Sequence, residues 1–206
     1  MARTSAETAP IILPSGFQFK ESAARPCYAQ GVGKRIGLAM LSMWLASTAV
    51  ADGWRVFHSE EGGFQVEMPG EPVPSESVEK TFVGSVTNRL FTVQSPSEEF
   101  TVEYSDLPHV ALVFGGPTTI LKKAKEALLK NVRGGELAYR LFRKKGYEGA
   151  ELAYAGQADN PGVFGFARFF LRGDRIYVVH YMLSDGKPID PDRVQRFLGS
   201  FRIDGP

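Results

Sequence analysis

The sequence predicts an α+β domain, an antiparallel β-sheet with a helix on each face. Three observations carry this. Two neighbouring segments, Val163–Leu171 and Arg175–Leu183, are apolar on both of their alternating faces, so each is a strand covered on both sides. Only Gly173-Asp174 separates them, which leaves room for a tight hairpin and makes them antiparallel. Two further segments, one after Pro117 and one after Pro191, repeat their apolar residues at helical spacing.

In chain order, Trp54–His58 and Phe64–Met68 are short strands around the turn Glu61-Gly62-Gly63. Met68-Pro69-Gly70-Glu71-Pro72 interrupts the pattern, because proline donates no ladder hydrogen bond. Ser77–Val83, Ser85–Gln94 and Phe100–Tyr104 resume it with Val, Thr and Phe near alternate positions. Pro117, following Gly115-Gly116, suits a first helical turn; Leu121, Ala124, Leu128 and Val132 then share one stripe, and Gly134-Gly135 closes the helix. Leu137–Phe142 and Gly149–Tyr154 are strands before the apolar pair. Asp190 is an N-cap with Pro191 at the first helical position, and Val194, Phe197, Leu198 and Phe201 form the stripe of the last helix.

The first fifty residues differ in kind from the rest. Lys34-Arg35 precedes an apolar run, Ile36–Val50, which ends in Ala49-Val50-Ala51 before Asp52. A positive patch, an apolar stretch and a small-x-small ending make a secretory signal peptide, residues 34–51, cleaved after Ala51. The alternative is a membrane anchor, but spanning the bilayer takes about 20 apolar residues, and this run is shorter. Residues 1–33, rich in Ala, Pro, Ser and Gly, read as a disordered extension; translation from Val32 through an alternative start codon would give a signal of normal length. Residues 52–206 then form one globular domain.

Of the 24 basic and 23 acidic residues, five and two lie in residues 1–51, leaving the mature chain 19 and 21 and a net charge near −2. Near-neutrality gives no reason to expect nucleic acid. The one cysteine, Cys27, falls in the segment to be removed, so the mature domain has no disulfide and rests on its core alone.

Gly62–Pro72, GGFQVEMPGEP, preceded by Trp54 and Phe57 and completed by the ending Phe197-Leu-Gly-Ser-Phe-Arg202, resembles the PsbP-like family. This is the superfamily of the extrinsic photosystem II subunit, with many small exported bacterial members. The resemblance covers roughly Trp54 to Ile203 and implies an α/β/α sandwich around an antiparallel sheet. It also implies a binding or assembly role rather than catalysis, and it carries over no functional residue.

Site signals are sparse. His58, His109 and His180 have no partner at ligand spacing, and His180 lies mid-strand, where a core or sheet residue is expected. Ser105 and His109, with a distant acid, are the raw material of a hydrolase without a nucleophile elbow. Arg172-Gly173-Asp174 spells an adhesion tripeptide and equally well a hairpin turn. No catalytic, cofactor-binding or metal-binding set emerges. Charge, however, is segregated. Lys122–Lys145 holds nine basic residues against Glu126 and Glu136, whereas Glu60–Asp106 holds ten acidic ones against Lys80 and Arg89. With the apolar stripe turned inward, Lys122, Lys125 and Lys130 face out, either as a solvated helix face or as a docking surface for an anionic partner. The expectation is an exported, non-enzymatic domain of the periplasm or exterior that binds an envelope protein or a small ligand. An envelope hydrolase with an unfamiliar site is the alternative, and a structural surface module comes third.

Overall fold

A computed structural model describes residues 53–205 apart from 82, 83, 145 and 159. The expected extension, the signal peptide with Ala49, Ala51 and Asp52, and Cys27 all lie outside the described residues.

The chain opens with a hairpin of β1 (Arg55–Ser59) and β2 (Phe64–Met68). Alternation in β2 turns Phe64, Val66 and Met68 inward. A two-residue strand at the other end of the chain, β10 (Arg202–Ile203), pairs with the free side of β2 and completes a three-stranded sheet. The remaining strands form a second, seven-stranded sheet. They are β3 (Val73–Thr81), β4 (Gly84–Gln94), β5 (Glu98–Asp106), β6 (Gly134–Lys144), β7 (Tyr147–Gly156), β8 (Phe164–Arg172) and β9 (Arg175–Leu183). Their order is β3-β4-β5-β9-β8-β7-β6, with every neighbouring pair antiparallel. Two meanders, β3–β5 and β6–β9, thus meet at β5 and β9. The connection that carries the chain from mid-sheet to the far edge is α1 (His109–Asn131).

The two-faced reading of β8 and β9 holds. Phe166, Phe170, Tyr177, Val179 and Tyr181 join a core with β2 and with Val194, Phe197 and Leu198 of α2 (Pro191–Ser200). Ala167, Phe169, Leu171 and Ile176 join another with Ile120 and Leu121 of α1. Asp190 caps α2 as expected, its side chain accepting from the backbone N–H of Asp192 and Arg193. The molecule is thus mostly antiparallel sheet with a few helices. The expected single sheet is corrected to two, because the β1–β2 hairpin packs with α2 over the larger sheet instead of extending it.

Both ends of α1 differ from expectation. The helix starts at His109, eight residues before Pro117, and is kinked at Gly116 (φ 66°, ψ 165°). A residue before proline is pushed out of the helical region, and glycine alone takes this positive φ freely, so the chain breaks stride there and resumes. At the other end the left-handed residue is Arg133 (φ 49°), and Gly134 already belongs to β6. Among the described residues no helix is long and apolar enough to cross a membrane.

Candidate functional site

The sequence candidates scatter. His58 is exposed on β1, its Nε2 2.9 Å from an Asp204 carboxylate oxygen. His109 is exposed at the start of α1. His180 is 5% exposed on β9; its ring stacks on Tyr154 with 5.8 Å between centroids, and Nε2 lies 2.6 Å from the Tyr154 hydroxyl. Burial holds the imidazole neutral, with its pKa brought down to about 4. Ser105 is buried too, and its hydroxyl donates to Asn88 Oδ1 at 2.6 Å, so it is committed to a bond between β4 and β5 rather than to His109. Arg172-Gly173-Asp174 is the β8–β9 hairpin, where Arg172 donates to the Asp204 carbonyl and the Asp174 carbonyl accepts from Leu107 N–H. No group of three His, Cys, Asp or Glu among the described residues could hold a metal ion.

The expected lysine surface is corrected at one position. Lys122 and Lys130 are exposed, but the Lys125 side chain is 13% exposed. Its ammonium sits 2.6 Å from Glu136 and 4.5 Å above the Tyr139 ring, because β6 runs beside the helix and offers it both an acid and an aromatic face.

A different basic site forms where β6, β7 and β8 face α2. Arg140, Glu151 and Arg168 stand in one register row across these three strands. Glu151 is buried and accepts from Arg140 on one side and from Arg168 Nε, at 3.0 Å, on the other. Arg168 also donates to the Leu198 carbonyl at 2.9 Å, which ties the row to the end of α2. The next row is aromatic. Phe142 and Phe170 flank Gly149, where a Cβ would come within 2.4 Å of the Phe142 ring, so only glycine lets that ring lie across β7. Tyr147 meets both rings edge-on, and Phe201 stacks on Phe170 at 5.0 Å. Between these rows and the α2–β10 segment lies a groove of about 720 Å³. Among the described residues five cations line it, Arg140, Lys144, Arg168, Arg172 and Arg202, against the single carboxylate of Glu151. The Arg202 guanidinium is held by the Gly199 and Phe201 carbonyls, which fix its position without cancelling its charge.

Sequence reading found two of these cations, Arg140 and Lys144, within the basic segment. It missed Arg168, Arg172 and Arg202, which reach the groove only through strand pairing. A signal was there: Arg168 is a lone charge in Phe164–Leu171, otherwise apolar on both faces, and a charge there needs a partner. Chemically the groove offers positive charge beside π surface, suited to holding an anion with an apolar body rather than to breaking a bond.

No family model matches the chain, and no curated protein matches it. A solved structure does: the solution structure of cyanobacterial PsbP (CyanoP) from Synechocystis sp. PCC 6803. It is 13% identical, covers 84% of this chain and 98% of its own, and superposes with a TM-score of 0.51. At that identity the likeness speaks for architecture alone, and the chain has a PsbP-like fold.

Proposed function

We propose that this protein is an exported, non-enzymatic binding module, an α/β/α sandwich with α1 and α2 on opposite faces of the large sheet. Its ligand is a small anion with an apolar or aromatic body, held in the groove between β6–β8 and α2. The observation that carries this is the groove's lining, five cations and one carboxylate over a floor of Phe142, Tyr147 and Phe170. Its size supports a small ligand, since such sites enclose roughly 300–1,000 Å³. The PsbP-like architecture favours an accessory role, and the commitment of Ser105 to Asn88 argues against the hydrolase alternative. Export rests on the segment from Lys34 to Ala51, and near-neutral charge argues against nucleic acid.

Calorimetric titration with naphthalene-2-sulfonate, beside uncharged 2-naphthol, tests the site. The sulfonate should bind the tighter, and the Lys144→Gln/Arg202→Gln double variant should raise its Kd about tenfold, two contacts of about 0.7 kcal/mol each. Sulfonate affinity equal in wild type and variant would sink the assignment. Export has its own check. The protein recovered from the producing cell should begin at Asp52 and wash off membranes without detergent; a full-length chain that only detergent extracts would make the apolar run an anchor.

A further inference from the structure

We propose a second ligand site, independent of the basic groove: the cleft between α1 and strands β3–β5, which takes a small organic cation with an apolar body. α1 lies over β6, β7 and β8. Beside it the same face of β4, β5 and β9 stays open as a cleft of about 260 Å³ that shares no lining residue with the basic groove. Its walls are apolar, with Ile120, Ala124 and Leu128 on the helix and Leu90 and Val178 on the sheet. In its floor stands Glu103, in register between Leu90 and Val178.

Among the described residues Glu103 accepts no side-chain hydrogen bond and makes no ion pair. The polar residues in the next row, Asn88 and Ser105, spend their bond on each other. The charged groups facing Glu103 are few. Glu79 of β3 repels it, Lys123 of α1 sits 3.0 Å from Glu126, and β4 and β9 line the cleft with no ionisable residue. Burial, with a smaller push from Glu79, raises the Glu103 carboxyl to about 7. A half-buried carboxyl in mid-sheet works against folding, and the described residues give it no ion pair to offset that cost. An ammonium from outside would supply the missing charge, and the apolar walls would take the body attached to it. The cleft lies just below the roughly 300 Å³ at which drug-sized pockets begin, so the amine is small.

Phenethylamine is the probe and phenethyl alcohol its uncharged counterpart, both titrated by calorimetry. At pH 8 the amine should bind at least tenfold more tightly than the alcohol. Its affinity should fall severalfold between pH 8 and pH 6, as Glu103 protonates. Glu103→Gln should remove both the preference and the pH dependence. Ser77→Trp, a change on the exposed edge strand β3, should block the cleft with Glu103 intact. Both variants should keep wild-type affinity for naphthalene-2-sulfonate, which separates failure here from failure of the basic groove. Equal binding of amine and alcohol, unaltered amine binding by Glu103→Gln, or no saturable amine binding at pH 8 would each overturn the proposal.

Discussion

At the scale of single residues, His180 and Glu103 show opposite uses of one physical effect, the cost of a buried charge. Burial removes the positive form of His180 and leaves a neutral ring whose Nε2 shares a hydrogen bond with the Tyr154 hydroxyl; the Tyr154 proton is itself held on by burial, far above the usual phenol range. The unfolded imidazole binds its proton near pH 6.5 and the folded one only near 4. This group's contribution is therefore complete above 6.5 and falls as pH drops through that window, by up to about 3 kcal/mol. Glu103 has the reverse sign. Its folded carboxyl holds a proton up to about pH 7, whereas the unfolded one releases it near 4.5, so its ionisation costs stability as pH rises through that interval. Urea unfolding should therefore find Glu103→Gln more stable than wild type at pH 8, by about 1–2 kcal/mol, and indistinguishable at pH 4. A constant difference at all pH values would show that Glu103 is solvated like a surface acid. Tyr154→Phe, which strips the buried imidazole of its hydrogen-bond partner, should cost about 1–3 kcal/mol at pH 7; a loss of a few tenths would mean that water replaces the hydroxyl.

At the scale of elements, what was legible in the sequence were those segments whose pattern is local. β8 and β9 announce themselves by two apolar faces and a two-residue hairpin, and α2 by Asp190, Pro191 and a clean stripe. Phe166, 2% exposed and in register between Ala153 and Tyr181, is the buried residue that this pattern predicts. Phe166→Asp should abolish the cooperative thermal transition, because an uncompensated charge there costs several kcal/mol. A transition kept at the wild-type temperature would place β8 at the periphery. The start of α1 was illegible for an equally local reason. Gly115-Gly116-Pro117 is the signature of a break, and the chain does break there, but a helical segment already stands on the other side. The second sheet was illegible because β10 has two residues and no periodicity; it exists only through pairing with β2, far away in the chain.

At the scale of the whole molecule, charge segregation along the sequence becomes segregation across the large sheet. The acidic stretch supplies β3, β4 and β5 at one end and the basic stretch supplies α1 and β6 toward the other, so the two clefts carry opposite signs. That much of the candidate sites was legible in composition. Which cations cluster was not, because Arg168, Arg172 and Arg202 are gathered by strand register and by the return of the chain after α2. The same geometry withdraws Lys125 from the surface that helical spacing assigned to it, and this gives a discriminating experiment. Lys122 and Lys130 are solvated, so replacing both by Gln should shift stability by no more than about 0.5 kcal/mol. Lys125 is largely covered and held by both Glu136 and Tyr139, so Lys125→Gln should cost about 1 kcal/mol, more than an exposed pair is worth. A double-mutant cycle with Glu136→Gln should return a coupling of at least about 0.5 kcal/mol. Sedimentation with phosphatidylglycerol vesicles at low salt asks whether the exposed pair docks. Loss of binding in the Lys122→Gln/Lys130→Gln protein, matched by added salt in wild type, would make α1 a membrane-facing helix. Binding alike in both, with zero coupling between Lys125 and Glu136, would leave all three lysines as an ordinary solvated face.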